Sequence, residues 1–305
     1  MKKWCWMVLI ILLITGCSSQ SVDEGRIQVM VSKDFGKKVM HDQDIKLNRD
    51  KSVMEVMKEN FQVETAYGGG FINGIDSLKS GFTGMENKTK LDWFYYVNGM
   101  ISEVGADDYI CEPGDVILWD YHDWSQKSIS SIIGAYPQNF INGYNGQVLK
   151  TEISSTKEYE KDSKNLLQFL QGKKVEISRE NINEDHLKNG EINSILIGLW
   201  DELSKLGTIK DYYENKDKVG LSFEVDSNIK LLDMNGKVAK EYKKGAWIVS
   251  ISKEYGMSGT LWMISGNDQT SIQRAVKILY EEPEKIRGKF SVFVTEDEII
   301  NMPIK

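Results

Sequence analysis

Residues 91–119 read LDWFYYVNGMISEVGADDYICEPGDVILW, and this stretch decides the fold of the first part of the chain. Four consecutive aromatic residues, 93–96, run into Val97-Asn98-Gly99, and a second apolar run, 116–119, follows the turn at Pro113-Gly114. Aromatic and β-branched residues bounded by Asn-Gly and Pro-Gly are typical of antiparallel hairpins, because glycine supplies the positive φ of tight turns. The stretch contains no nucleophile beside a base and no cluster of metal ligands, so it favours contact over catalysis.

The residues before this stretch predict two strands and a helix. Residues 26–31 and 39–47 alternate between apolar and polar side chains, which indicates strands. Asp50 is the predicted N-cap of a helix over residues 51–60. The apolar face of that helix is expected to pack on a sheet, and it consists of Val53, Met54, Met57 and Phe61. With more strands following, the order predicts a β-grasp-like sheet of the α+β class.

After Trp124 the pattern changes to two units of strand followed by helix. Residues 194–198 lead into a helix over 199–206, and residues 260–266 lead into a helix that Asp268 is expected to cap. Residues 246–251 and 290–294 are predicted as further strands. Apolar strands followed closely by helices indicate a parallel sheet covered on both faces. We therefore predict an α/β domain with a largely parallel sheet.

The two strand-to-helix junctions of this second part are a candidate ligand site. Gly198-Leu199-Trp200 and Gly266-Asn267-Asp268 would lie at strand carboxyl ends, where ligands collect in open parallel sheets. A tight turn followed by an N-cap is the simpler explanation of the second junction, and the sequence favours it. Both interpretations stay open at the level of sequence.

The N-terminal segment resembles the signal of bacterial lipoproteins. Lys2 and Lys3 precede an apolar run over residues 6–14, and Thr15-Gly16 stand directly before Cys17. The resemblance implies that Cys17 is lipidated and becomes the first mature residue, which anchors the protein at the outer side of the cytoplasmic membrane. An ordinary signal peptide or a short anchor helix is the alternative. The predicted organisation is a signal peptide over 1–16, a flexible tether over 17–25, a first domain over 26–124 and a connection plus α/β domain over 125–305.

Charge and cysteine content limit the partners. The chain of 305 residues carries a net charge of −7, and loss of the two lysines in the signal leaves −9. An acidic chain of this kind argues against nucleic acid as a partner. Of the three cysteines only Cys111 lies outside the signal, so no intramolecular disulfide is expected. Cys111 is interpreted as a small buried hydrophobe.

The sequence shows no familiar catalytic or metal-binding motif. Among the three histidines, His122 lies next to a carboxylate, Asp123, in an aromatic setting, so it is either a metal ligand or a hydrogen-bonded structural residue. Adjacent side chains of a strand point to opposite faces, which favours the structural role. The acidic pairs Asp107-Asp108 and Glu281-Glu282 lack the alternating spacing of a calcium loop. We expect no enzyme, no resident cofactor and no metal site.

Four blocks of the first domain resemble the transcobalamin C-terminal-like family, whose members include the β-rich domain of vitamin B12 carriers. The blocks are residues 71–76 (FINGID), 93–99 (WFYYVNG), 105–109 (GADDY) and 114–121 (GDVILWDY). The resemblance covers about residues 25–124. It implies a face that covers a large planar ring such as a corrinoid. The residues in matching blocks that would line it are Trp93, Tyr95, Asn98, Trp119 and Tyr121, while Phe94 and Tyr96 would face the core. The helical barrel that encloses the ligand in the animal carriers has no counterpart here.

These observations together predict a membrane-anchored extracytoplasmic lipoprotein that binds a corrinoid-like nutrient and passes it to a membrane transporter. Two alternatives belong to other classes. The aromatic hairpins would serve a cell-envelope module that docks on protein or glycan, or the α/β domain would carry an enzyme site near Gly198 and Gly266. If Trp93, Tyr95 and Trp119 line a concave cleft between the two domains, the small-ligand hypothesis gains, and if they are buried or form a flat patch, it loses.

Overall fold

Two large sheets, one in each half of the chain, organise the structure. The computed structural model describes residues 25–47, 50–83, 88–254 and 256–304. The predicted signal peptide, the lipidation site Cys17 and most of the tether lie outside the described residues. The structure is a mixed α+β fold with several sheets.

The first sheet has five strands in the order β2-β1-β8-β6-β7. Its central pair, β1 and β8, is parallel, and the other neighbouring pairs are antiparallel. A small antiparallel sheet, β3-β4-β5, stands beside it. The elements of this half are β1 (Arg26–Lys33), β2 (Lys38–Lys46), α1 (Val53–Asn60), β3 (Val63–Ala66), β4 (Phe71–Ile75), β5 (Leu78–Lys79), β6 (Leu91–Val97), β7 (Met100–Ile101) and β8 (Val116–Asp123).

Helix α1 packs its predicted apolar face into the core. Val53, Met54, Met57 and Phe61 are all buried, as the helical spacing predicted. The predicted cap is wrong, however, because Ser52 and not Asp50 begins the helix. The Ser52 hydroxyl accepts a hydrogen bond from the Glu55 amide (3.2 Å), and the Glu55 carboxylate accepts one from the Ser52 amide (2.8 Å). This reciprocal capping box satisfies two amides that the first helical turn leaves unpaired.

The second large sheet has seven strands in the order β10-β9-β11-β16-β15-β17-β18. The elements of this half are α2 (Gln138–Ile141), β9 (Thr151–Ser155), α3 (Glu160–Gly172), β10 (Ile177–Arg179), α4 (Glu184–Lys188), β11 (Asn193–Leu199), α5 (Trp200–Leu203), α6 (Gly207–Glu214), α7 (Lys216–Val219), β12 (Phe223–Val225), β13 (Ile229–Leu232), β14 (Val238–Tyr242), β15 (Ala246–Ser252), β16 (Thr260–Gly266), α8 (Gln269–Glu281), β17 (Ser291–Val294) and β18 (Ile299–Met302). Strands β12, β13 and β14 form a separate antiparallel sheet.

The seven-stranded sheet is mixed, which corrects the expectation of a largely parallel one. Strands β10, β9, β11 and β16 run parallel, whereas β15, β17 and β18 join antiparallel to their neighbours. A short turn connects β15 to β16, and a turn of that length permits only antiparallel pairing. Helices α3 and α8 cover one face of the sheet, and the other face packs against α5, α6 and the β12–β14 sheet.

Buried contacts join the two halves. Met30, Phe35, Tyr96 and Leu118 of the first half form one apolar cluster with Phe290 of the second. A hydrogen bond crosses the same boundary, from the Asn301 side-chain amide to the Phe35 carbonyl (2.8 Å). The Ser131 hydroxyl, in the connection between the halves, pairs with the Ser250 hydroxyl (2.6 Å). The first sheet is therefore covered on both faces, by α1 on one and by the second half on the other.

Candidate functional site

The aromatic strands β6 and β8 pair antiparallel and divide their side chains between two faces. Trp93 lies opposite Tyr121, and Tyr95 lies opposite Trp119. These four rings belong to the core that also contains helix α1. Because successive side chains of a strand point to opposite faces, the four rings form one aromatic layer on the helix side of the sheet.

The alternate residues of the same strands point toward the second half of the chain. Phe94, Tyr96 and Leu118 pack in the cluster around Phe290. The hydroxyl of Tyr96, which is fully buried, donates to the Ile129 carbonyl (2.9 Å). The assignment of Phe94 and Tyr96 to packing agrees with this arrangement. Neither face of the strands is an open surface.

A cavity of about 500 Å³ lies against the aromatic layer, and we call it the aromatic cleft. Its aromatic lining residues are Phe71, Trp93, Phe94, Tyr95, Trp119 and Trp124. The segment 101–106, which follows the β6–β7 hairpin, forms another wall. Cavities of this size and composition are typical of sites for small organic ligands.

Three of the five predicted ligand residues line the cleft, but they do so from the core. Trp93, Tyr95 and Trp119 expose only 4, 9 and 3% of their surface. Trp93 donates through Nε1 to the Leu78 carbonyl (2.9 Å), and the Tyr95 hydroxyl donates to the Val104 carbonyl. Trp119 Nε1 is buried and has no hydrogen-bond partner within the described part of the chain. These rings form the fixed floor of a cleft that is lined by the first half of the chain alone, not of a cleft between the two domains. Their burial is the outcome that weakens the small-ligand hypothesis for these three residues.

The other two predicted residues have structural positions. Asn98 is fully buried, and its side chain donates to Asp115 (2.7 Å) and to the Gly143 carbonyl (2.9 Å) while it accepts from the Val116 amide (2.8 Å). Tyr121 packs at the border of the α1 core and donates to the Lys79 carbonyl (3.0 Å). Asn98 and Tyr121 are not among the residues that line the cleft.

The accessible rings beside the cleft were missed by the sequence analysis. Tyr67 is 72% exposed and contacts Phe71 edge to face, with ring centroids 5.9 Å apart. Phe82 is 47% exposed and contacts Trp124 in the same way at 5.4 Å. Tyr67 is followed by three glycines, Gly68-Gly69-Gly70. Trp124, which follows the last matching block, was the one available signal for this rim.

A buried carboxylate fixes part of the rim. Asp92 is 4% exposed, and it accepts hydrogen bonds from Trp124 Nε1 (2.8 Å) and from the Thr83 amide (3.1 Å). The ring of Trp124 is therefore held in place relative to the floor of the cleft. Asp92 is also part of the cleft lining, and so is the exposed carboxylate of Glu103.

His122 has the structural role that strand geometry favoured. Its Nδ1 lies 2.9 Å from a carboxylate oxygen of Asp120, not of the adjacent Asp123. Its ring stacks on Phe94 at 4.6 Å and touches Phe290. Asp120 also accepts from the Ser32 hydroxyl and from the amides of residues 35 and 36, so it organises the β1–β2 turn. Within the described residues no group of three or more histidine, cysteine or acidic side chains could hold a metal ion.

The remaining candidates resolve into structural positions. Burial raises the pKa of the Cys111 thiol to about 12, so the thiolate is disfavoured. Asp268 caps α8 by accepting from the amide (3.0 Å) and hydroxyl (2.8 Å) of Ser271, as the sequence predicted. At the other junction, α5 is a single short turn that begins at Trp200. The Gly266 junction therefore has the turn and N-cap that the simpler interpretation requires.

Comparison with known proteins adds one finding for the first half. Residues 50–123 match a domain family of unknown function, DUF4430, which is associated with transcobalamin-like domains. The match contains α1, β6 and β8 and nearly all the residues that line the aromatic cleft. No curated protein matches the chain. In the described residues, no helix is long and apolar enough to cross a membrane.

Proposed function

We propose that this protein is a membrane-anchored extracytoplasmic lipoprotein that binds a large planar ligand in the aromatic cleft and does not transform it. A corrinoid is the first candidate, and a membrane transporter is the proposed recipient. The observation that carries the proposal is the cleft itself, a cavity of about 500 Å³ whose floor consists of Trp93, Tyr95 and Trp119. The family match and the β-grasp-like arrangement, a parallel central pair with one helix on a face, support it.

The physical basis is preorganised apolar surface. Aromatic rings offer a large contact area at a small cost in side-chain entropy, since each has only two rotatable bonds. Tyr95 and Trp119 already stack against one another, and hydrogen bonds fix Trp93 and Trp124. Binding of a ligand in the cleft therefore costs little side-chain entropy, because these rings are already ordered.

The contact residues in this proposal differ from those that the sequence suggested. The half-buried Phe71 and Trp124 and the exposed Tyr67 and Phe82 contact the ring faces and edges, while Trp93, Tyr95 and Trp119 form the floor. The lipid at Cys17 and the tether over residues 18–25 would hold the cleft near a transporter in the same membrane. A single acyl chain binds a membrane reversibly, so a diacylglyceryl group is what stable anchoring requires.

Titration of the soluble chain 18–305 tests ligand binding directly. Cobalamin and cobinamide are titrated by calorimetry and by absorbance, with haemin as a planar ring of different chemistry. Binding near 100 µM corresponds to about −5.5 kcal/mol. We expect heat and a spectral change with at least one corrinoid at or below that concentration. Absence of both signals for both corrinoids would overturn the corrinoid assignment, and binding of haemin alone would redirect it to another planar ligand.

A second candidate function rests on the exposed rings. Tyr67 and Phe82 remain accessible although the rings they touch are half-buried. Exposed aromatic residues are enriched where proteins dock on other proteins or on glycans. A cell-envelope interaction module is supported if substitution of these two residues abolishes binding to a cell-wall fraction without changing the corrinoid titration.

A further inference from the structure

A second cavity, of about 600 Å³, lies between the two halves of the chain, and we call it the interdomain cavity. The first half contributes the segment 100–104, which also borders the aromatic cleft. The connection contributes Ser128, Ser130 and the segment 144–147. The second half contributes Lys218, Val219 and the turn between β15 and β16, residues 252–258 without the undescribed Tyr255. Both halves are needed to form it.

The lining is rich in hydroxyl groups that the protein leaves unused. Ser128 is exposed, and Ser130 and Ser252 are half-buried. Over residues 25–47, 50–83, 88–254 and 256–304, the hydroxyls of these three serines make no hydrogen bond. The side chain of Asn145, also in the lining, is likewise unpaired in that part of the chain. Hydroxyl and amide groups both donate and accept, so they match ligand groups that do the same.

The lining also offers apolar contact. Tyr144 is half-buried, and its hydroxyl is fixed by the Glu103 amide (2.9 Å) and by the Ser102 hydroxyl (3.3 Å). Its ring is therefore held in one position at the cavity wall. Met100 and Met257 lie in the same lining. A rigid aromatic ring beside unpaired hydroxyls is the combination that recognises a pyranose, whose C–H face is apolar and whose edge is polar.

The lining of the interdomain cavity carries charged residues of both signs. Two acidic residues, Glu103 and Glu254, stand against two lysines, Lys218 and Lys253. The ammonium group of Lys253 is committed to the protein. It donates to the carbonyls of His186 (2.7 Å) and Ile192 (2.7 Å) and to the Ser194 hydroxyl (2.8 Å). Because these contacts occupy its ammonium group, Lys253 adds little to the binding of a charged ligand.

Two long hydrogen bonds link the turn before β16 to the other walls of the cavity. The Gly256 amide donates to the Glu103 carboxylate (3.3 Å), and the Ser258 hydroxyl donates to the Gln147 side chain (3.4 Å). Both are near the upper limit of hydrogen-bond length, so they oppose entry of a ligand only weakly. Gly256 has a positive φ of 76° and no neighbour around a position that a Cβ would occupy. The turn therefore has room to adjust.

We propose that the interdomain cavity is a binding site for an uncharged molecule that bears hydroxyl and amide groups, of monosaccharide to disaccharide size. Ser128, Ser130, Ser252 and Asn145 hydrogen-bond its polar edge, and Tyr144 contacts its apolar face. The second half of the chain thereby takes part in ligand recognition. This site does not rest on the aromatic cleft having a planar ligand, since none of the four unpaired side chains lines that cleft.

The test uses the chain 18–305 and probes of matched size and different charge. N-acetylglucosamine and its disaccharide N,N′-diacetylchitobiose are the neutral probes, glucosamine is the cationic one and glucuronate the anionic one. Binding is measured by saturation-transfer NMR and by calorimetry up to roughly 10 mM ligand, a range suited to weak sites. We expect at least one neutral probe to bind at least tenfold more tightly than either charged probe.

Substitutions locate the bound probe. Ser252→Trp and Ser128→Trp fill the cavity, and each is expected to weaken binding of the neutral probe at least tenfold. Ser227→Trp is the matched control, since Ser227 is exposed on the turn between β12 and β13 and lines neither cavity. Thermal unfolding checks that each variant is folded. Because Ser128 is exposed, Ser128→Trp is expected to fold and still tests the proposal if Ser252→Trp does not fold.

The results separate this proposal from the one on the aromatic cleft. No binding by either neutral probe, equal binding by the charged probes, or unchanged affinity in Ser128→Trp overturns it. Corrinoid titrations of the same variants report the other proposal independently. If a corrinoid binds and neither neutral probe does, the proposal for the aromatic cleft stands and that for the interdomain cavity is overturned. If a neutral probe binds and no corrinoid does, the interdomain proposal stands and the corrinoid proposal is overturned.

Discussion

The rings of Tyr95 and Trp119 stack across neighbouring strands, with centroids 4.8 Å apart and 20° between their planes. The two residues are direct partners in the β6–β8 register. Their stacking places two large apolar surfaces at the floor of the aromatic cleft and fixes both rings. One contact therefore serves the stability of the sheet and the shape of the cleft together.

Truncation of this pair measures its part in stability. Trp119→Ala and Tyr95→Ala should each lower the free energy of unfolding by about 3–5 kcal/mol, because a large buried ring leaves a cavity. In the double variant the losses should fall short of additivity by about 0.5–1.5 kcal/mol, the value of an aromatic contact beyond its area. Urea unfolding followed by circular dichroism gives all three values.

Tyr67→Ala is the control for this cycle, because Tyr67 is 72% exposed and should change the unfolding free energy by no more than about 0.5 kcal/mol. Strict additivity of Trp119→Ala and Tyr95→Ala would contradict a direct interaction between the two rings.

Substitution of Phe82 tests ligand contact separately from protein stability. The ring is 47% exposed and touches Trp124 at the rim of the cleft. Phe82→Ala should leave the unfolding free energy within about 0.5 kcal/mol of the parent. Affinity for the corrinoid that binds the parent chain should fall about three- to tenfold, since an aromatic contact is lost. Calorimetric titration measures the affinity, and a chemical melt measures the stability.

Val238→Ala is the matched control for Phe82→Ala. Val238 is 50% exposed on β14, far along the chain and outside the cleft lining. If Val238→Ala weakens corrinoid binding as much as Phe82→Ala does, the rim has no specific role.

Much of the local structure could be predicted from sequence because it depends on local patterns. Strand β16 follows from an apolar run that ends at Gly266, and the cap follows from Asp268, which stands two residues later and directly before α8. The division of residues 93–96 between two faces follows from the period of a strand. The capping box was also present in the sequence, as Ser52 with Glu55 three residues later. The sequence prediction placed the cap at Asp50 instead, two residues before Ser52.

The accessibility of the aromatic rings could not be predicted, since it depends on what covers each face. Phe290, almost 200 residues further along the chain, buries Tyr96, and α1 covers the layer that contains Trp93. The antiparallel direction of β15 was present in the sequence but was missed, because the apolar pattern of β15 resembles that of a parallel strand although its connection to β16 is too short for a parallel crossover. Its direction follows from the turn to β16 and from pairing with β17.

Asn98 joins the hairpin to the connection after β8. The residue has a positive φ of 49°, and its side chain makes three buried hydrogen bonds. Asn98→Ala should lower the free energy of unfolding by about 2–4 kcal/mol, because it leaves buried groups unpaired and keeps the strained backbone angle. Asn301→Ala is a useful comparison, since within the described residues the side chain of Asn301 makes a single hydrogen bond, to the Phe35 carbonyl. A loss for Asn98→Ala no larger than that for Asn301→Ala would contradict the central role of Asn98.

Lys253 should give the folded protein a specific dependence on pH. Burial lowers the pKa of its ammonium group to about 7, and the Glu152 carboxylate opposes that shift only in part. In the unfolded chain a lysine has a pKa of about 10.4. Between these values the unfolded state holds a proton that the folded state lacks, so the contribution of Lys253 to the unfolding free energy rises with pH. The slope for one proton is at most about 1.4 kcal/mol per pH unit, and it vanishes below pH 7 and above about pH 10.4.

Lys253→Met removes this proton while keeping a side chain of similar length. The difference in unfolding free energy between the parent and Lys253→Met should therefore change with pH in favour of the parent from about pH 7 to pH 10. Lys240→Met is the control for the change of residue type, because Lys240 is exposed on β14. Urea melts at intervals of one pH unit provide the comparison. A constant difference between the parent and Lys253→Met across this range would show that Lys253 stays protonated in the folded protein, held by the two carbonyls and the hydroxyl around its Nζ.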